Sequence, residues 1–203
     1  MYKEFRNYIK NIDFNNKAVA IVLLYGNAAI MFAKREIVSI VKKNNGNVVG
    51  YGEFIREHSF STKELPVAIN RPNTEDINVT ISFGKAIREE LKNNIEKNKS
   101  LSLFDRFIGK VADIKPVHTG RRIFTVPKTD YELCDNCGVC IKKCPKACIG
   151  NNIITDKKAC IVCMACVKAC HNNARISKAK NPLIKMGLKK INRNKNESKF
   201  VVF

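Results

Sequence analysis

Cys134-Asp-Asn-Cys137-Gly-Val-Cys140-Ile-Lys-Lys-Cys144-Pro145 is followed, 26 residues on, by Cys160-Ile-Val-Cys163-Met-Ala-Cys166-Val-Lys-Ala-Cys170-His171, so one spacing is written twice. All nine cysteines of the 203-residue chain fall between Cys134 and Cys170. Disulfide frameworks belong to small exported domains. Met1-Tyr-Lys-Glu-Phe-Arg instead opens with mixed charge and lacks the apolar core of a signal peptide. Bound metal in a cytoplasmic protein is therefore the first expectation. A zinc site pairs two Cys-x2-Cys halves around one tetrahedron, which leaves the third cysteine of each group without a task. A cube of iron and sulfide gives it one, because three thiolates two residues apart on a curled loop can reach three irons of the same cube.

The doubled run resembles the bacterial-type 2(4Fe-4S) ferredoxins over residues 129–178. In that family the fourth cysteine of each run ligates the other cluster. The resemblance implies cluster I on Cys134, Cys137, Cys140 and Cys170, and cluster II on Cys160, Cys163, Cys166 and Cys144. It also implies two hairpin, loop and helix halves related by a pseudo-two-fold axis, and one-electron transfer at low potential. Such crossing ties the halves into a unit whose folding depends on its metal. Ile153-Ile154-Thr155 followed by Asp156-Lys157-Lys158 suits the strand and turn between the halves. Two positions depart from the plain pattern. Cys148, aligned by the repeat with Ala174, reads as a small buried hydrophobe, with ligand exchange or redox sensing as alternatives. His171, standing where the first half has Pro145, is either a surface or packing residue or a hydrogen-bond donor toward a cluster ligand.

Upstream, the text alternates helix and strand in the order α-β-α-β-α. Phe5, Tyr8 or Ile9, and Ile12 share a helical face. The run Ala18-Val-Ala-Ile-Val-Leu-Leu-Tyr25 suits a parallel strand buried on both sides. Residues 28–43 read as a helix with Ile30, Ala33, Ile37, Ile40 and Val41 inward, and residues 47–55 as a second strand. Thr74 can cap a third helix, with Glu75 and Asp76 in its first turn and Ile77, Ile81, Gly84, Ile87, Leu91 and Ile95 at helical spacing.

Leu24-Tyr25-Gly26-Asn27, Glu57-His58-Ser59-Phe60-Ser61, Arg71-Pro72-Asn73 and Phe83-Gly84, in that order, resemble the C-terminal half of the flavodoxin-like domain in fusion proteins that carry a ferredoxin domain after it. That resemblance implies strands four and five of a 2-1-3-4-5 sheet, and implies Tyr25, Gly26 and Asn27 as contacts to an FMN ring. The same three residues also read as an ordinary strand-ending turn. The chain contains no Thr-Gly-Asn phosphate loop, so tight FMN binding by the chain alone is not expected. Two parallel strands with an open apolar edge are not stable alone. The fragment therefore docks on its own ferredoxin domain, associates with itself or another chain, or belongs to a longer protein.

The expected fold class is α/β plus α+β. Residues 1–98 form a partial flavodoxin-like unit, 99–128 a short helix around Leu101, Phe104, Phe107 and Ile108 with an extended linker, 129–178 the two-cluster ferredoxin domain, and 179–203 a basic C-terminal tail. The formal charge of +19 divides as +9, +4 and +6 over residues 1–128, 129–178 and 179–203, and only the last segment is lopsided. A basic surface favours redox partners with acidic docking faces, Arg121 and Arg122 forming one candidate patch and the tail another, although solvated charge is the simpler reading of each. The eight-residue run at Ala18 to Tyr25, the longest apolar one, is too short for a membrane span. The leading function is a one-electron carrier with two 4Fe-4S clusters. The alternatives are a flavin-dependent iron-sulfur oxidoreductase and a zinc or nucleic-acid-binding module. The eight-cysteine spacing opposes the last, as does the absence of Trp or a recognisable aromatic stacking platform.

Overall fold

The computed structural model of the chain describes residues 3–28, 30–62, 65–93, 119–193 and 196–203. The helix expected around Leu101, Phe104, Phe107 and Ile108 lies outside them, as does Ile95. In chain order the elements are α1 (Lys3–Lys10), β1 (Ala18–Tyr25), α2 (Met31–Lys43), β2 (Asn47–Ile55), α3 (Thr74–Asn93), α4 (Thr119–Ile123), β3 (Lys128–Thr129), α5 (Val139–Lys142), α6 (Ala165–Lys168), β4 (Arg175–Ile176), α7 (Pro182–Arg193) and β5 (Lys199–Val202). The fold is mixed α/β, with a three-stranded mixed sheet in the order β1-β2-β5 and a two-stranded antiparallel sheet of β3 and β4. No helix among the described residues is long and apolar enough to cross a membrane.

Two units result, and they interleave along the sequence. One comprises the described residues of Met1–His58, Pro66–Val117 and Ile191–Phe203, the other those of Ser59–Leu65 and His118–Lys190. In the first, β1 runs parallel to β2, with a register shift between Val19 and Ala20. Ile21 and Leu23 of β1 pack with Val48 of β2 and Val41 of α2, joined by Phe14, Ile30, Ile37 and Val38. α3 covers the other face over β2 and β5, where Phe83 meets the rings of Phe54 and Phe200 at centroid distances of 5.8 and 5.4 Å. A Cβ on Gly50 would stand 2.8 Å from Ile87 Cδ1 of α3 and 2.8 Å from the Val201 carbonyl oxygen of β5, and the backbone contact leaves no room for a side chain without shifting β5.

Four sequence expectations change here. β1 is not buried on both sides: Val22 and Leu24 are 58% and 63% exposed, because β1 is an edge strand and α3 lies over β2 and β5 instead. α3 turns a different stripe inward, burying Asp76 and Phe83 while Ile77, Ile81 and Leu91 stay exposed. Its cap is also one residue earlier, since Asn73 Oδ1 accepts the Asp76 N–H and Asp76 Oδ2 accepts the Asn73 N–H, each at 2.9 Å. Finally, residues 179–203 are not simply a basic tail. They hold α7 and β5, and β5 pairs antiparallel with β2 from Gly50↔Val202 to Glu53↔Lys199. The two parallel strands thus gain a third strand from their own chain. Ser198 fastens it, its Oγ accepting the Ile55 N–H at 3.0 Å and donating to Asp76 Oδ1 at 2.5 Å.

Candidate metal centre

The 26-residue repeat of the sequence is also a repeat of the backbone in the second unit. α5 begins after a left-handed Gly138 (φ 71°) and α6 after a left-handed Met164 (φ 65°), which is the equivalent position. Asn136 and Val162 form a second left-handed pair (58° and 54°), and Ala147 and Asn173 a third (44° and 55°). A β-branched residue strains at such a φ. Val162 holds it where its N–H donates to Cys160 Sγ at 3.4 Å. Each cysteine loop is therefore curled by left-handed residues that flank Cys137 and Cys163.

The halves exchange partners. Asp130 N–H donates to Ala174 O, and its equivalent Asp156 N–H donates to Cys148 O, both at 2.8 Å. The pairing Thr129↔Arg175 in β3 and β4 has its counterpart in the bridge Ile149↔Thr155. The segment that follows the fourth cysteine of each half is thus paired with the strand that begins the other half. Arg121 fastens the second loop from outside, donating from Nε to Cys160 O at 2.6 Å and from Nη2 to Lys157 O at 2.6 Å, with Lys158 O as a further acceptor. This guanidinium, read above as part of a docking patch, is engaged with the backbone. Phe60, on the short segment before Leu65, stacks on Phe124 at 4.2 Å in the same unit.

Cys144, from the first half, lines one pocket with Cys160, Cys163 and Cys166 from the second, together with Cys148, Pro127 and Met164. Cys170, from the second half, comes close enough to Cys140 to act on it electrostatically. Its neighbour His171 reaches back to the first loop, where its Nε2 is 2.9 Å from Asp135 Oδ2. The candidate ligand atoms of Asp135, Cys137 and His171 lie within 4.8 Å of one another, all on exposed residues. Cys134 sits in the same loop, its Sγ 3.9 Å from Asn136 Oδ1.

The ninth thiol is not apart from the others. Cys148 is buried, with its Sγ 3.4 Å from Cys144 Sγ, and its N–H donates to the same sulfur. Burial, reinforced by Cys144 and Cys160, pushes the Cys148 thiol up to about 12. Burial also raises Cys144, but the hydrogen bonds it receives, first from the Cys148 N–H, outweigh this and hold its thiol below the ordinary value. Of the two, Cys144 is the more readily ionised and Cys148 the less.

Arg175 is the residue whose role sequence reading missed. It is 2% exposed, and its guanidinium donates to Thr129 Oγ1, Thr155 Oγ1 and two backbone carbonyls, with Cys166 Sγ at 3.8 Å. Burial raises the Cys140 and Cys166 thiols, and the Arg175 charge opposes it at both. A buried guanidinium surrounded by neutral oxygens fits a site whose sulfurs are anionic, as the ligands of a four-thiolate cluster are. The signal was present in the repeat, which sets this arginine against the apolar Ile149.

Tyr25, Gly26 and Asn27 belong to the first unit and are not among the residues gathered here. A Cβ on Gly26 would stand 2.5 Å from the His58 ring. The Asn27 side chain donates from Nδ2 to Ile191 O at 3.0 Å, and the Asn27 backbone carbonyl accepts from Asn196 Nδ2 at 3.1 Å. The turn after β1 is thus engaged by the returning C-terminal segment. A cavity of about 540 Å³ beside it is lined by Asn27, Arg71, Asp76 and Ser198 among others. No protein-family model matches the chain, and no curated protein matches it.

Proposed function

We propose that the second unit is a one-electron carrier holding two 4Fe-4S clusters, on Cys134, Cys137, Cys140 and Cys170 and on Cys160, Cys163, Cys166 and Cys144. When bound, such clusters supply a reversible low-potential one-electron couple. The observation that carries the reading is the exchange between halves. It delivers Cys144 to the pocket of Cys160, Cys163 and Cys166, and Cys170 to Cys140. Two sets of four sulfurs drawn from eight evenly repeated cysteines suit two cubes better than zinc, which would leave cysteines over from Cys-x2-Cys pairs. In this reading the first unit is the flavodoxin-like portion of a flavodoxin and ferredoxin arrangement, the compartment is the reducing cytoplasm, and the partners are acidic redox proteins.

The test is metal content after anaerobic purification and reconstitution. Iron and acid-labile sulfide should each approach about eight per chain, with broad violet-edge absorption that bleaches on reduction. Cys137→Ala should remove one cluster's share and weaken retention of the other. Protein that retains only zinc under these conditions overturns the reading.

A further inference from the structure

Arg175 occupies a position that the pseudo-symmetry of the second unit makes unusual. Nη1 donates to Thr129 Oγ1 at 2.6 Å and to Ile153 O at 3.0 Å, while Nη2 donates to Thr155 Oγ1 at 2.5 Å and to Pro127 O at 3.3 Å. Thr129 and Thr155 are repeat mates, 26 residues apart, and so are Pro127 and Ile153. The guanidinium therefore straddles the pseudo-two-fold axis, taking one hydroxyl and one carbonyl from each half. The side chain itself comes from one half only, because the equivalent position holds Ile149.

None of these four oxygens carries a charge, and Nε is buried without a hydrogen-bond partner among the described residues. A guanidinium is always protonated, and taking it out of water carries a penalty that a nearby anion offsets better than neutral oxygens do. Cys166 Sγ lies 3.8 Å from Nη2, and at Cys140 the Arg175 charge opposes the rise that burial causes. These two cysteines are again repeat mates, one in each proposed ligand set.

Resting on the two-cluster reading above, we propose that Arg175 is an internal counter-ion shared by the two clusters, raising the reduction potential of both and that of the Cys166 set more. A fixed cation between two sites that each gain negative charge on reduction favours electron uptake at either. The direct contact to Cys166 adds a hydrogen bond on one side only. Two sites related by near-symmetric loops thereby become unequal, which gives electron flow through the unit a direction.

The test compares wild type, Arg175→Met and Arg175→Lys as full-length, reconstituted protein, by dithionite titration followed by EPR. Arg175→Met at wild-type iron and sulfide content should shift both couples to lower potential. For the Cys166 set the change should reach at least tenfold in the reduction equilibrium, about 59 mV for a one-electron couple. Arg175→Lys keeps the charge and loses the fork, so it should lower the Cys166 set alone. Unchanged potentials in a fully loaded Met variant overturn the proposal. If that variant does not fold, unchanged potentials in the Lys variant do so. Wild-type protein without iron and sulfide overturns the two-cluster reading and this inference with it, whereas loaded wild type with insensitive variants removes only the role of Arg175.

Discussion

At the scale of single residues, Asp76 shows how a side chain at a helix start becomes a fastening point. A carboxylate in the first turn of α3 is expected from the helix dipole, yet Asp76 is 1% exposed and its carboxylate serves three groups at once. Arg71 pairs with it from one side, Ser198 donates from another, and the Asn73 N–H closes the cap. The Arg71 guanidinium, with Ser198 and the Asn73 N–H, outweighs burial and holds the Asp76 carboxyl at about 2, against an ordinary 3.8. A carboxyl depressed in the folded state stabilises it above the ordinary value and loses that contribution as pH falls toward the folded one. The difference is worth about 2 kcal/mol. Thermal melts should therefore show the first unit losing stability between about pH 4 and pH 2. Asp76→Asn should be less stable at neutral pH and should lack that part of the acid dependence. A variant melting like wild type at neutral pH would show the pair to be inconsequential.

At the scale of elements, α3 and β1 both present more apolar surface than the fold covers. Ile77 and Ile81 of α3 lie on one stripe and Phe83 and Ile87 on a neighbouring one, and local periodicity does not rank them. Phe83 takes the inner position because Phe54 of β2 and Phe200 of β5 offer it two rings. Phe83→Ala should cost about 3–5 kcal/mol in urea unfolding, whereas Ile81→Ala, on an exposed position, should stay within about 0.5 kcal/mol. The reverse order, with Ile81→Ala the costlier change, would mean that α3 packs with the other stripe inward. β5 presents the complementary case, a four-residue strand that has no autonomous stability and forms because β2 provides an edge and Ser198 an anchor.

At the scale of the whole molecule, the two units share a chain that crosses between them more than once, with Ser59–Leu65 contributed to the second unit and Ile191–Phe203 returned to the first. The net charge of +19 is positive in each segment of the sequence. Under the proposed function, electron transfer to an acidic acceptor protein should slow as ionic strength rises, because screening shortens the range over which opposite charges guide the encounter. Stopped-flow rates measured at low and high salt test this, and rates indifferent to salt count against docking through the basic surface.

Much of this was legible from residue order. The doubled cysteine spacing announces two equivalent loops, and the structure repeats them down to the left-handed residues at Gly138 and Met164. The apolar runs locate β1 and β2 at their observed bounds, and the acidic first turn locates the start of α3 to within one residue. These features are local: periodicity, turn residues and ligand spacing act over a few positions, so neighbours in sequence suffice to express them. What residue order left open is what covers a face and what balances a charge. The exposure of Val22 and Leu24, the inward turn of Phe83, the return of β5 to β2, and the burial of Arg175 between the two halves all depend on segments far apart in the chain. Arg175 reads in sequence as one positive charge among 37. Only folding removes it from water and faces it with sulfur, because desolvation and compensation are properties of the packed interior.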